Sequence, residues 1–224
     1  MSCEPMTPLP RRGLYAITAE ADAEPARLAA RVGAAIDGGA VMIQYRAKDR
    51  TDRQRRAAAT ALLDLCRARH VPLIVNDDAF LAAEIGADGV HVGRDDGDAR
   101  TARRIVGDRC IVGVSCYDRL DLAIAAAGDG ASYVAFGSFF ASPTKPHAVP
   151  APIGLLSTAR ERLDVPIAAI GGITADNGGA LAEAGASFLA AIGGVFGEAD
   201  AEQAARAYAA LFPCAARGGS DAPR

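Results

Sequence analysis

The segment YVAFGSFFASPTKP, residues 133–146, shows the pattern that decides the fold. A short apolar run, Tyr133 to Gly137, is followed by a loop that carries Lys145. Other apolar runs also end in polar side chains or glycines, at residues 44–48, 76–77, 91–96 and 170–173. Continuous apolar runs are typical of parallel strands covered by helices, and the polar groups that follow them gather at one edge of the sheet.

Strand-like and helix-like segments alternate along the chain. Apolar runs predict strands at 13–18, 40–46, 72–76, 89–93, 110–115, 132–137, 165–170 and 188–192. Helical apolar spacing predicts helices at 26–37, 52–69, 78–85, 98–106, 118–127, 152–162, 176–184 and 200–211. Eight strand–helix units that close on themselves form a (β/α)8 TIM barrel. An open doubly wound sheet is disfavoured, because polar strand ends occur along the whole chain and not mainly at one switch point.

The chain is predicted to fold as a single α/β domain. Its 224 residues suffice for one substantial core, and no linker-like stretch divides them. The barrel is assigned to residues 13–212, after a loose arm at 1–12 and before a disordered tail at 213–224.

Charge and composition exclude several classes of partner. The net charge of −3 and the pI near 5.6 do not indicate a nucleic acid or an anionic membrane as partner. No apolar run reaches the roughly 18 residues of a membrane span, and residues 1–12 lack the apolar core of a signal peptide. Five cysteines without a Cys-x-x-Cys motif predict unpaired thiols in a reducing cytoplasm. A homo-oligomer is left open.

Three polar side chains share one face at the end of the second strand. Gln44, Arg46 and Lys48 are two residues apart, so an extended segment points all three the same way. A solvated strand end is the simpler explanation. Alternatively, Arg46 and Lys48 form part of a site for anionic substrates at the barrel mouth.

Two carboxylates follow adjacent strands. Asp77 comes after Asn76, and Asp96 comes shortly after Gly93. Asp77 or Asp78 could cap the short helix that follows, and Asp96 could cap helix 98–106, since Asp is a common N-cap residue. Together, Asp77 and Asp96 could instead hold Mg²⁺, which takes one or two carboxylates and completes its shell with water and substrate phosphates. His91 is either a core histidine or a hydrogen-bond partner of the substrate.

Glycine pairs end the last two strands, at Gly171–Gly172 and at Gly193–Gly194. Loops after strands seven and eight often form the phosphate site of such barrels, although tight turns alone would explain the glycines. The mouth thus suits a diphosphate at its cationic side and a monophosphate at its glycine side. No nucleophile–base pair is evident in the sequence.

Taken in order, these motifs resemble the thiamine-phosphate synthase family over about residues 13–195. The matching segments are Gln44–Lys48, Asn76–Asp77, His91–Asp96, Gly113–Ser115, Ser142–Lys145 and Ile170–Ile173. The resemblance implies a transferase that joins two small molecules, a pyrimidine diphosphate and a thiazole phosphate, into thiamine phosphate and pyrophosphate.

The resemblance also implies a role for each matching residue. Arg46, Lys48, Asn76 and Lys145 would bind the diphosphate, while Asp77 and Asp96 would bind Mg²⁺. Gln44, Tyr15 and His91 would contact the pyrimidine, and Ser115 would lie near the reacting groups. Ser142, Thr144, Gly172 and the strand-eight backbone at Ile192 and Gly193 would hold the thiazole phosphate. Arg46, Lys48, Ser115 and Lys145 would serve catalysis.

Three positions depart from the family pattern. Ser142 stands where Thr is usual, Arg94 stands where Gln is usual, and Gly193 stands where Ser is usual. A thiazole tautomerase and a regulator that only binds thiazole phosphate are the alternatives. The set of cations and carboxylates argues against the tautomerase, which needs no site for a diphosphate. Turnover that depends on magnesium would exclude the regulator.

Overall fold

The computed structural model of the protein describes residues 7–20, 24–93, 96–141 and 150–212. Four residues singled out by the sequence, Arg94, Ser142, Thr144 and Lys145, lie outside these ranges. What the sequence indicates for them stays a prediction.

Eight parallel strands close into a barrel, in which each strand pairs with the next and β8 pairs with β1. The strands are β1 Gly13–Ile17, β2 Ala40–Tyr45, β3 Leu73–Asn76, β4 Gly89–Val92, β5 Ile111–Tyr117, β6 Tyr133–Phe136, β7 Ile167–Ile170 and β8 Phe188–Ala191. The predicted TIM barrel is therefore confirmed, and the predicted strands match these bounds to within a few residues.

Helices follow the strands around the outside. They are α1 Pro25–Asp37, α2 Asp52–Ala68, α3 Ala79–Ile85, α4 Ala99–Val106, α5 Leu120–Gly128, α6 Gly154–Arg162, α7 Ala175–Glu183, α8 Gly193–Phe196 and α9 Ala201–Ala209. The sequence did not predict α8, because this single turn begins with two glycines and has no apolar periodicity. Within the described ranges, no helix is long and apolar enough to cross a membrane.

Successive strand residues pack on opposite sides of the sheet. Tyr15, Met42, Tyr133 and Phe188 belong to the core inside the barrel, whereas their neighbours belong to the larger core beneath the helices. The inner positions of the last three strands include alanines, namely Ala135, Ala168 and Ala190. Small side chains at these positions leave space inside the barrel below its mouth.

The described part of the N-terminal segment, which begins at Thr7, contacts the barrel. The backbone N–H of Thr7 donates to the buried carboxylate of Asp88 at 3.3 Å, and the N–H of Leu73 donates to the other carboxylate oxygen at 2.9 Å. Leu9 packs against the inner core. A buried carboxylate needs such donors, so it ties residue 7 to the barrel.

The cysteines follow the sequence expectation only in part. Cys66 and Cys116 are buried free thiols, whose pKa burial raises to about 12. Cys110 is disulfide-bonded, so the expectation of unpaired thiols is wrong for this residue. Spacing alone does not reveal which cysteines pair.

Candidate active site

Two cavities open at the carboxyl ends of the strands. The charged cavity, of about 450 Å³, is lined by Tyr15, Ile17, Gln44, Arg46, Lys48, Asn76, Asp77, His91, Gly93, Asp96, Ser115, Tyr117, Ala135, Ala168, Ile170, Ala190 and Ile192. The glycine-rich cavity, of about 510 Å³, is lined by Gly137, Ser138, Ala141, Gly171–Thr174, Ala191, Gly193, Gly194 and Glu198. It also shares with the charged cavity Ser115, Tyr117, Ala135, Ile170, Ala190 and Ile192. The two cavities therefore adjoin along one common wall.

The structure brings most of the predicted site residues together. Tyr15, Gln44, Arg46, Lys48, Asn76, Asp77, His91, Asp96, Ser115 and Ile192 line the charged cavity. Gly172, Gly193, Ser115 and Ile192 line the glycine-rich cavity.

The two cations that follow β2 are each paired with a carboxylate. Arg46 lies 3.1 Å from Glu20, and the Lys48 ammonium lies 3.7 Å from Asp77. The backbone of this segment is also fixed, because Arg46 N–H donates to Thr18 Oγ1 at 2.9 Å and Lys48 N–H donates to Glu20 Oε1 at 2.9 Å. The residues just after β1 thereby fix the backbone of this segment and balance the charge of Arg46, while Asp77 balances that of Lys48.

Asp77 and Asp96 lie within hydrogen-bonding reach of each other. Burial and the Asp96 carboxylate raise the pKa of Asp77, and Lys48 opposes that shift. Asp77 has a left-handed backbone with φ of 64°, and its N–H donates to the His91 carbonyl at 2.8 Å. A left-handed conformation is costly for most residues and is held here between two strand ends.

The helix-capping alternative is confirmed for Asp78 but is wrong for Asp77 and Asp96. Asp78 caps α3 by accepting from Leu81 N–H at 2.8 Å, and Asp98 caps α4 by accepting from Thr101 N–H at 2.7 Å. Asp96 instead accepts from Gly93 N–H at 3.0 Å. Asp77 and Asp96 are thus left to face the cavity.

His91 is a buried core histidine, and its contact with the substrate stays a prediction. It is 8% exposed and hydrogen-bonded inside the barrel, and it also lines the charged cavity. Its Nε2 lies 2.9 Å from Ser115 Oγ, and its Nδ1 lies 2.9 Å from the hydroxyl of Tyr133. The sequence did not indicate the contact between His91 and Ser115, because β4 and β5 are separated by α4 in the chain.

The turn after β7 has no room for side chains. Gly171 and Gly172 have φ of 105° and 60°, and a Cβ on Gly172 would lie 2.3 Å from the Ala141 carbonyl. A Cβ on Gly171 would lie 1.8 Å from Ser138 Oγ. The glycines let this turn pass against the segment after β6, and they leave backbone groups facing the cavity.

The two glycines at the start of α8 differ from each other. A Cβ on Gly193 would meet no atom within 4 Å, whereas a Cβ on Gly194 would lie 2.0 Å from the Tyr208 hydroxyl. Only Gly194 is therefore required by packing.

Sequence reasoning missed two residues at this site. Glu20 lies just after β1, and its position at the barrel mouth was the available signal. Tyr133 lies inside the barrel opposite Gly113 in the strand register. A polar aromatic residue in an apolar strand, beside a glycine on the neighbouring strand, was a signal for an inward-pointing hydroxyl.

The closed barrel and its mouth of cations, paired carboxylates and glycine turns define a (β/α)8-barrel protein built to bind phosphorylated small molecules. The chain belongs to the thiamine monophosphate synthase family, whose model matches residues 14–195. This confirms the resemblance that the motifs indicated.

Proteins similar in sequence to this chain match it over nearly its whole length. Thiamine-phosphate synthase of Methylococcus capsulatus is 51% identical, with 92% of this chain and 91% of the relative covered. That of Chromobacterium violaceum is 52% identical, with 89% and 96% covered. The solved thiamine phosphate pyrophosphorylase from Pyrococcus furiosus superposes with a TM-score of 0.80 at 30% identity, covering 90% of this chain and 95% of that one.

Proposed function

We propose that the protein is a thiamine-phosphate synthase, which joins a hydroxymethylpyrimidine diphosphate to a thiazole phosphate and releases pyrophosphate. Relatives of that name at 51% and 52% identity support the reaction. The structural observation that carries the proposal is the shared wall of the charged and the glycine-rich cavities. Two substrates bound in these adjoining cavities would lie next to each other and could react.

The charged cavity is proposed to hold the pyrimidine diphosphate. Arg46 and Lys48 supply positive charge and Asn76 supplies an amide, all three on its wall. Family resemblance adds Lys145 to the diphosphate site. Gln44, Tyr15 and His91 lie deeper in the barrel, which suits contacts with the uncharged pyrimidine ring.

The glycine-rich cavity is proposed to hold the thiazole phosphate. Its backbone groups at Gly172, Ile192 and Gly193 suit a phosphate, because glycine lets N–H groups approach an anion closely. Family resemblance adds Ser142 and Thr144 to this site. The shared residues Ala135, Ile170 and Ala190 offer an apolar surface for the thiazole ring.

The two carboxylates fit the Mg²⁺ that the family resemblance implies. Asp77 and Asp96 face each other, and burial together with the Asp96 carboxylate raises the pKa of Asp77, as expected for a pair whose repulsion a cation would relieve. No group of three or more metal-binding side chains occurs in the part of the chain that the structure describes. A two-carboxylate site suits Mg²⁺ that keeps several waters and takes its other ligands from phosphate. Bound there, the ion would neutralise charge on the diphosphate.

The proposed reaction needs no proton transfer by the protein. The bond between the pyrimidine methylene and the diphosphate oxygen breaks, and its electron pair leaves with pyrophosphate. The amino group of the pyrimidine stabilises the resulting carbocation, which the lone pair of the thiazole nitrogen captures to form the new C–N bond. Arg46 and Lys48 stabilise the growing negative charge, and the cavities hold the two substrates in line.

The decisive experiment follows product formation with the purified protein. With both substrates and Mg²⁺, thiamine phosphate and pyrophosphate should appear in equal amounts, and omitting either substrate should abolish both. Interconversion of thiazole tautomers without thiamine phosphate would instead favour the tautomerase. Fractionation of the native cells tests the cytoplasmic location, which is part of the same proposal.

A further inference from the structure

A chain of hydrogen bonds runs through the barrel interior to Ser115. Gln44 Nε2 lies 2.6 Å from Tyr15 Oη, and Tyr15 Oη lies 2.7 Å from Tyr133 Oη. Tyr133 Oη lies 2.9 Å from His91 Nδ1, and His91 Nε2 lies 2.9 Å from Ser115 Oγ. The chain therefore joins the pyrimidine side of the charged cavity to the wall that both cavities share.

Counting protons gives this chain a direction. An amide nitrogen only donates, so Gln44 donates to Tyr15, whose own proton is then directed to Tyr133. The Tyr133 proton is left for His91 Nδ1. Burial raises the pKa of both phenols, so each one keeps its proton.

The opposite direction would leave a buried proton without an acceptor. If Tyr133 donated to Tyr15, the Tyr15 oxygen would accept twice and its own proton would have no partner among the contacts described. Tyr15 is 1% exposed, and a buried donor without an acceptor destabilises the fold. That direction would satisfy the Tyr15 proton only if the oxygen and nitrogen of the Gln44 amide were exchanged, so that the amide oxygen accepted from Tyr15.

The direction determines what His91 does to Ser115. With Nδ1 accepting from Tyr133, a neutral His91 carries its proton on Nε2 and donates it to Ser115 Oγ. The proton of Ser115 is then free of His91 and can point into the cavities, both of which Ser115 lines. The histidine cannot at the same time act as a base that activates this serine.

The position of Tyr133 is tightly fixed. Its ring stacks on His91 with 5.6 Å between centroids, and it meets Tyr15 and Phe188 edge to face. A Cβ on Gly113 would lie 2.1 Å from this ring, so the glycine leaves the space that the ring fills. Such packing holds the Tyr133 hydroxyl between Tyr15 and His91.

We propose that Tyr133 is a positioning residue, which through His91 fixes the Ser115 hydroxyl as a hydrogen-bond donor to the ligand at the junction of the two cavities. Ser115 then donates to an oxygen of the departing diphosphate and is not a nucleophile. This role rests on the proposed synthase function, whereas the protonation of His91 does not.

The first test is the tautomer of His91 in the wild-type protein. Nitrogen NMR of histidine-labelled protein distinguishes the two ring nitrogens, and His70→Gln and His147→Gln variants assign the signals. A proton on Nε2 is expected. A proton on Nδ1 would overturn the proposal, because Ser115 would then donate to His91. This measurement needs no substrate, so it stands even if the protein makes no thiamine phosphate.

The second test removes the hydroxyl with Tyr133→Phe, which keeps the ring contacts. The kcat should fall at least about tenfold while the KM of both substrates stays within about twofold, the pattern of a group that acts in the transition state. The His91 signals should shift as Nδ1 loses its donor. A wild-type kcat in a folded Tyr133→Phe protein would refute the positioning role.

Tyr45→Phe is the matched control. Tyr45 is also buried, with 3% of its surface exposed against 0% for Tyr133. It belongs to the core beneath the helices, and its hydroxyl has no hydrogen-bond partner within the described ranges. This variant should keep the wild-type kcat and His91 signals. Loss of kcat in both variants would mean that any buried hydroxyl matters through stability, and the proposal would fail.

Discussion

The carboxylate of Glu20 lies 3.1 Å from the guanidinium of Arg46 and 2.9 Å from the backbone nitrogen of Lys48. One side chain therefore supports the cationic segment and neutralises part of its charge. The Lys48 ammonium is balanced in the same way by Asp77 at 3.7 Å. A diphosphate in the proposed site would have to compete with these carboxylates for the two cations.

Replacing Glu20 with Gln should strengthen binding of inorganic pyrophosphate. Gln keeps an acceptor for the Lys48 N–H but removes the charge next to Arg46. The gain should be about twofold to fivefold, since partly exposed ion pairs contribute roughly 0.5–1 kcal/mol. Calorimetric titration with pyrophosphate and Mg²⁺ measures it. Glu202→Gln, which breaks a Glu–Arg pair on α9, is the control and should change nothing. Weaker binding in Glu20→Gln would show that the carboxylate mainly orients Arg46.

Asp77→Asn should stabilise the metal-free protein at neutral pH. The folded protein raises the pKa of Asp77 above its ordinary value of 3.8, so the unfolded chain loses this proton first as pH rises. The contribution of Asp77 to the free energy of unfolding therefore decreases as the pH rises from the pKa of the unfolded chain to the higher pKa of the folded protein. It is lowest once Asp77 is charged. Asn also accepts the left-handed backbone of this position.

Thermal unfolding measures this effect with and without Mg²⁺. At pH 7 the Asp77→Asn variant should gain less than about 1 kcal/mol, because the carboxylate is partly exposed, and the gain should vanish near pH 3. Mg²⁺ with pyrophosphate should stabilise the wild type more than the variant. The exposed Asp64→Asn on α2 serves as control. An equal response of Asp77→Asn and the wild type to Mg²⁺ would remove Asp77 from the metal site.

Gly193→Ser should keep activity, whereas Gly194→Ala should not. A side chain at Gly193 meets open space, and its φ is not left-handed. A Cβ at Gly194 overlaps the Tyr208 hydroxyl, which also donates to the Ile173 carbonyl at 2.6 Å. Steady-state kinetics with varied thiazole phosphate should show an unchanged or lower KM for Gly193→Ser. A large loss in that variant would mean that the phosphate occupies the space beside Gly193.

Lys145→Ala should reduce kcat by about 10²–10³, the cost of removing one group that stabilises charge in a transition state. Only two lysines occur in the chain, Lys48 and Lys145, against 22 arginines. Lys145→Arg keeps the charge and should recover part of the rate. Circular dichroism and thermal unfolding control for the fold. Normal kcat and KM in Lys145→Ala would exclude this residue from the site.

The sequence predicts the barrel and most of the mouth, but not the contacts within the barrel. Strand ends such as Arg46 and Asp77 could be recognised because apolar runs locate the carboxyl edge of the sheet. The contact of His91 with Ser115 could not, since it depends on the register between β4 and β5. The role of Glu20 was missed for a similar reason, because its partner is far away in the sequence. The short helix α8 has no periodic signal at all.

The common wall of the two cavities has a consequence for inhibitor design. Two separate molecules that fill the two cavities each lose their freedom of motion on binding, whereas one molecule that spans both cavities at Ser115 loses it only once. A short linker between a diphosphate mimic and a thiazole mimic would make the second binding event intramolecular, at an effective concentration of about millimolar. The small residues Ala135 and Ala190 on this wall leave the path that such a linker would follow.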